Sequence, residues 1–324
     1  MQIWRSLIYV VSCAALTSAY GCGQSMPPGI AAFSAGPAMQ SVKPGQSWIA
    51  PDARHSALLY VSDLRNERID VFSYPLGVPK GKLTGFSAPH GLCSDAAGHV
   101  YIVNEGASQI LEYAHGGTIP IKTLSDPGYF PSGCSIDPTT GNLAVTNITS
   151  MTSAPGSLAI YTHASGTPKL YSGNSTLFFL YYCGYDSSGN LLIDGMNQGA
   201  HIVTVAELPA HGTALQPIAL NARIAYPGGV QWHINSFAIG DQVSLSGPSK
   251  IDEFTISGSR GTEVGTTPLN NSCNVLQFWI QGKRVVVPNT CKHDVLYFNF
   301  PAGGSSTKAI AGPSESVGTT VSLR

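Results

Sequence analysis

A short motif recurs along this chain, and its period constrains the fold more than any other feature. Residues 89–104 read PHGLCSDAAGHVYIVN, 131–147 read PSGCSIDPTTGNLAVTN, and 182–195 read YCGYDSSGNLLIDG; ALLYVSD at 57–63 is a partial copy. The shared plan is Gly-apolar, an Asp-x-x-Gly-type turn, then an apolar strand ending in Asp or Asn. Such turns place Gly where a hairpin needs positive φ. A second alternating stretch follows each copy: RIDVFSY (68–74), QILEYAH (109–115), SLAIYTH (157–163), HIVTVAE (201–207), KIDEFTI (250–256) and VLYFNFP (295–301). Period-two patterning rich in β-branched and aromatic residues predicts half-buried strands. More polar stretches, IPIKTLS (119–125) and PKLYS (168–172), read as fourth strands.

Counted at the residue that starts each inner strand, Gly91, Gly133, Gly184, Gly229, Asn274 and Gly318 follow at intervals of 42, 51, 45, 45 and 44. Four strands per interval is the size of one propeller blade, and the 3.6 period of helical repeats is absent. The expected fold is all-β: a six-bladed β-propeller of four-stranded antiparallel blades. Residues 57–86 supply three strands, and the C-terminal SVGTTVSL (316–323) supplies the missing inner one. The C-terminal strand thus joins the N-terminal blade and removes the open edges of the sheet.

Tyr60-Val61-Ser62-Asp63 with Asn66-Glu67-Arg68-Ile69 and Val71-Phe72 states the plan, and Tyr101-Ile102-Val103-Asn104 with Gln109-Ile110-Leu111-Glu112-Tyr113 repeats it. On these residues the chain resembles NHL-repeat propellers and their bacterial secreted and lipoprotein relatives, across residues 57–300. The resemblance implies fold and not one function, since such propellers do many jobs.

The first 21 residues read as a secretory signal, with Arg5 before an apolar Leu7–Leu16 too short to span a bilayer. Cys22, in Ala19-Tyr20-Gly21-Cys22, resembles the lipidated cysteine of bacterial lipoproteins, with Ala19 where Leu is usual. Residues 22–46 read as lipidated Cys and flexible tether, and 47–324 as the propeller. The expected location is the cell envelope, as an exported lipoprotein held to the membrane only by its lipid; ordinary cleavage near Gly21 would instead leave a soluble periplasmic or extracellular protein. Charged residues are 11% and the net charge is −1, so no basic surface argues for nucleic acid or anionic lipid.

Export permits disulfides. Cys273 and Cys291 lie nine residues either side of a hairpin centred near Gly282 and are expected to face each other. Cys134 and Cys183 start adjacent inner strands and are a weaker pair, which leaves Cys93 over. No C-x₂-C metal spacing is present.

In a propeller, the loops leading into inner strands and those after second strands share one face around the channel mouth. The first group offers His90, Ser132, Tyr182, Tyr226 and Asn271; the second offers Asp63, Asn104, Asn147, Asp194, Asp241 and Asn289. From these, His90, Asn104, Asn147, Tyr182, Asp194 and Asn289 are the candidate ligand-binding residues. Recurrence in nearly every blade favours the competing reading, in which the Asx side chains shape turns. No cofactor is expected, although the oxygens of Asn104, Asn147 and Asp194 would suit Ca²⁺ or another divalent ion. His90, in Pro89-His90-Gly91, resembles a zinc-ligand motif of amidating-lyase propellers; equivalent positions carry Ser132, Tyr182 and Gly228, so the set is incomplete. Gly-x-Ser-x-Gly and phosphate-loop motifs are missing. Trp232, Trp279 and Phe178–Tyr182 form either an aromatic platform for carbohydrate or interblade core. The expected function is a non-enzymatic binding or scaffold module presenting its mouth to a protein, peptide or glycan. A metal-assisted hydrolase or lyase, and a structural surface component, are the alternatives.

Overall fold

The computed structural model describes residues 46–200, 202–242 and 248–324. The signal, Cys22 and nearly all of the tether lie outside the described residues. Strands dominate, with four short 3₁₀ turns among the described residues. No helix among them is long and apolar enough to cross a membrane.

Three sheets are simple antiparallel meanders of four strands: Pro89–Ser94 to Lys122–Ser125, Tyr129–Ile136 to Lys169–Ser172, and Trp279–Gln281 to Lys308–Ala311. A fourth carries Leu58–Asp63, Arg68–Ser73 and Pro79–Thr84, with Trp48–Ile49 on its outer edge and Ser316–Ser322 on its inner one. The C-terminal strand runs antiparallel to the N-terminal one from Leu58↔Ser322 to Asp63↔Ser316, the closure expected from the repeat.

The fifth sheet has eight strands where separate four-stranded blades were counted. It consists of two antiparallel runs, Phe179–Tyr185 to Gln216–Leu220 and Pro227–His233 to Arg260–Pro268. The long hairpin of the second run reaches the outer strand of the first, and Ala219↔Arg260 and Leu220↔Gly261 pair in parallel. Outer strands in such an array would otherwise present unpaired edges, and this contact consumes two of them.

The first strands of the runs touch in succession: 316–322 against 89–94, then 129–136, 179–185, 227–233 and 279–281, and from there back to 316–322. Apolar side chains fill the spaces between consecutive sheets. Leu58, Tyr60 and Ile69 meet Leu92, Ile102 and Leu111 on one side of the N-terminal sheet. Leu59, Val61 and Val321 meet Val286, Val295 and Tyr297 on its other side. Alternate residues of one strand therefore enter different cores, and every residue of Leu58–Asp63 is buried. Of the strands expected to be half-buried, Arg68–Ser73 and Gln109–Tyr113 are buried on both faces beyond their first residue, whereas Lys250–Ser257 keeps exposed positions.

The inner-strand register also differs from the counted one. Val61, Ile102, Val145 and Ile239 each lie two residues before the recurring Asx of their strand, and they pair with Thr319, Leu92, Cys134 and Val230. The preceding residues, Gly318, Gly91, Gly133 and Gly229, are thus equivalent, and extending the pairing Trp279↔Val286 adds Gln277; in 179–185 the equivalent is Tyr182, since Gly133 faces the Tyr181 carbonyl as Gly91 faces that of Ser132. Gly184 and Asn274, used to count the period, are displaced from this layer. A Cβ on Gly318 would come within 2.2 Å of the His90 carbonyl oxygen, and one on Gly91 within 2.3 Å of that of Ser132. Glycine here lets neighbouring inner strands approach backbone to backbone.

Candidate functional site

The Asx residues that end the second strands are all buried. Five of the six hold the segment leading into an inner strand. Asn104 Oδ1 accepts the Ser87 N–H at 2.7 Å, Asp194 Oδ1 the Tyr182 N–H at 2.9 Å, and Asn289 Oδ1 the Cys273 N–H at 2.7 Å. Asp241 accepts from Ala225 and Tyr226, and Asp63 from Ser314 and Glu315. Asn147 departs from the pattern. Its strand continues to Ser150, which pairs with Tyr129, so the leading segment is held by the ladder instead. Its Nδ2 donates to Ser157 Oγ at 3.0 Å, and its Oδ1 has no partner.

His90, Ser132 and Tyr182 do come together at this end. His90 Nδ1 lies 3.4 Å from Ser132 Oγ, and its ring stacks on Tyr182 with centroids 6.4 Å apart. Burial pushes the imidazole down to about 4, so it is neutral at physiological pH. Glu105, not singled out in the sequence, sits in the 3₁₀ turn after Asn104 with both carboxyl oxygens unpartnered. Burial pushes its carboxyl well above the usual range, and burial does the same to Asp194, against hydrogen bonds that oppose it. Both carboxyls act on the Tyr182 hydroxyl, whose proton burial already holds. No three His, Cys, Asp or Glu residues among the described residues are placed to hold a metal ion. Nothing in the sequence marked Glu105, because its isolation from partners is a tertiary fact.

An open cavity lies at the other end of the inner strands. It measures about 320 Å³ and is lined by the C-terminal halves of five of them, including Ser94, Ser135, Tyr185, Gln231, Trp232 and Trp279. The turns after the inner strands, through Pro138, Asp186 and Ser187, form part of its wall. Gln277 reaches across: its Oε1 accepts from Leu92 and Thr319, and its Nε2 donates to the Leu92 carbonyl at 2.8 Å. Gln231 grips Ile280 in the same two-pronged way. Each carboxamide takes the place of a strand partner on an inner edge. A second cavity of about 150 Å³ adjoins the first through Tyr185 and lies between the turns at 137–141 and 186–190. Of the predicted aromatic groups, Trp232 and Trp279 are half-buried at the cavity, whereas Phe178 and Leu180–Tyr182 are buried.

Two disulfides are present among the described residues. Cys273–Cys291 spans its hairpin with Cα atoms 5.6 Å apart, as expected. The other joins Cys93 to Cys134, and Cys183 is free and buried, which corrects the expected Cys134–Cys183 bridge. The reason is alternation. Cys93 and Cys134 are one register apart on neighbouring inner strands, so each points into the core between the 89–125 and 129–172 sheets; Cys183 points into the next core.

Among solved structures, the chain is similar to a chain in the crystal structure of a nidogen/laminin complex, at 13% identity and a TM-score of 0.67, with 83% of this chain and 99% of that chain covered. It is also similar to a protein of unknown function from Bacteroides caccae, at 11% identity and a TM-score of 0.61, covering 83% and 100%. No family model matches the chain, and no curated protein does. At these identities the likeness concerns fold alone. With the successive contacts of the inner strands, it defines the chain as an all-β protein of the β-propeller class.

Proposed function

We propose that this chain is a six-bladed propeller of the NHL type that serves as a non-enzymatic binding or scaffold module, taking its ligand in the axial cavity beside Trp232 and Trp279. The closed succession of six inner strands supports the blade count, with the eight-stranded sheet read as two blades fused at their outer edges. Two disulfides suit an oxidising compartment outside the cytoplasm, in keeping with export and attachment through a lipid on Cys22. The nidogen/laminin likeness supports a binding role.

The observation that carries the reading is the chemistry of the cavity. Its single carboxylate, Asp186, is occupied by its own turn, accepting from Ser188 N, Asn190 N and Asn190 Nδ2 at 2.8–2.9 Å. What remains is aromatic and hydroxyl surface, suited to holding a ligand rather than moving protons. In this reading Asn104, Asp194 and Asn289 serve the fold, and His90 and Tyr182 pack the opposite mouth. A photo-crosslinking amino acid at Ser187, on the cavity rim, should yield an adduct in the native envelope, and Ser135→Trp should abolish it. Adducts confined to the same probe at Asn271, on the opposite face, would move the site there; no adduct at either position would remove the binding role.

A further inference from the structure

The two adjoining cavities carry the reading to a class of ligand. Both lining carboxylates are engaged by their own turns but keep their negative charge. Asp186 is consumed as above, and Asp137 in the neighbouring turn accepts from Thr139 N, Thr139 Oγ1 and Thr140 Oγ1 at 2.8, 2.7 and 2.5 Å. The Gln231 and Gln277 carboxamides are spent on backbone. Ser135 Oγ accepts the Tyr185 N–H at 3.1 Å, which leaves its own proton to donate, and Ser187 stands exposed at the rim. Two half-buried indoles supply flat apolar surface. An anionic ligand would lose its hydration here without gaining a counter-charge. A ligand with apolar ring faces edged by hydroxyls would meet both kinds of surface.

The second cavity decides between a single ring and a chain. It shares Tyr185 with the first and reaches from the Asp137 and Asp186 turns to Tyr171 and His211. We propose that a neutral oligosaccharide chain binds along this track, one ring against Trp232 and Trp279 at the axis and the next residues in the cleft between the turns at 137–141 and 186–190. The proposal rests on the axial cavity being the ligand site.

Cellohexaose, maltohexaose and N,N′-hexaacetylchitohexaose serve as probes, with glucose and hexagalacturonate as controls, read by calorimetry and by intrinsic tryptophan fluorescence. At least one neutral hexamer should bind at least ten-fold more tightly than both controls. Trp279→Ala should weaken it ten-fold or more. Thr139→Trp, at an exposed position lining the second cavity, should weaken the hexamer and spare the matching disaccharide. Ser135→Trp fills the axial cavity and provides a second test if Trp279→Ala fails to fold. Binding by none of the neutral hexamers, equal binding of the hexauronate, or hexamer affinity untouched by both Thr139→Trp and Ser135→Trp would overturn the proposal. An adduct at Ser187 alongside failure of every hexamer would overturn the glycan assignment and leave the cavity as the binding site; failure of both would remove the two together.

Discussion

At the scale of single residues, the inner layer is governed by the space a Cβ would need. Gly91→Ala places a methyl against the Ser132 carbonyl, and overpacking of this kind costs about 1–3 kcal/mol. Denaturant titration should show that loss, while Gly265→Ala, whose Cβ would meet nothing nearer than 3.5 Å, should be neutral within about 0.5 kcal/mol. The buried acids make a second, pH-dependent prediction. Burial raises Asp126 from 3.8 to about 6, so the folded state holds its proton where the unfolded chain has released it. Its contribution is full below pH 3.8 and is lost as pH rises to about 6, a gap worth about 3 kcal/mol. Glu105 shifts in the same direction, so its loss begins at its ordinary 4.5 and extends upward. Asp126→Asn and Glu105→Gln should each raise the melting temperature at pH 8 and flatten its fall from pH 4 to 8. A gain in melting temperature over wild type that does not grow from pH 4 to 8 would contradict the assignment.

At the scale of elements, the disulfides staple different things. Cys273–Cys291 closes one hairpin over a separation of 18 residues, whereas Cys93–Cys134 joins inner strands of neighbouring sheets over 41. Chain-entropy reasoning puts the first near about 3 kcal/mol and the second slightly higher. Thermal melts of Cys273→Ala and Cys93→Ala should both move down, the second further. The Cys183 thiol, buried between the 129–172 sheet and the run 179–220, should resist alkylation until the protein unfolds. Rapid labelling of Cys183 in the native protein, or of Cys134, would break this arrangement.

At the scale of the whole molecule, stability depends on closing the ring, and one side chain spans the closure. Gln277 links the C-terminal strand to the 89–125 sheet through Thr319 and Leu92. Gln277→Ala leaves three buried backbone groups unsatisfied, at a cost of about 1–3 kcal/mol for each that water cannot reach. Truncation after Glu315 removes Ser316–Ser322 and bares the inner edge of Leu58–Asp63. The truncated chain should aggregate or lose cooperative melting on size exclusion and circular dichroism; a truncated protein with unchanged melting would show that closure contributes little.

The sequence alone determined what local chemistry determines: strands from alternation, turns from Asp-x-x-Gly, the repeat from its spacing, and the Cys273–Cys291 pair from symmetry about a turn. It also brought His90, Ser132 and Tyr182 together, because each leads into an inner strand. Tertiary structure decided the rest. Which of two cores a cysteine enters depends on one step of register, so Cys134 met Cys93. Bulges shifted the layer from Gly184 to Tyr182, and a long hairpin fused two runs into one sheet. The isolation of Glu105, the reach of Gln277 and the axial cavity arise from chain segments far apart in sequence. Local patterning carries no record of them, because burial and partnership exist only once the sheets pack round a common axis.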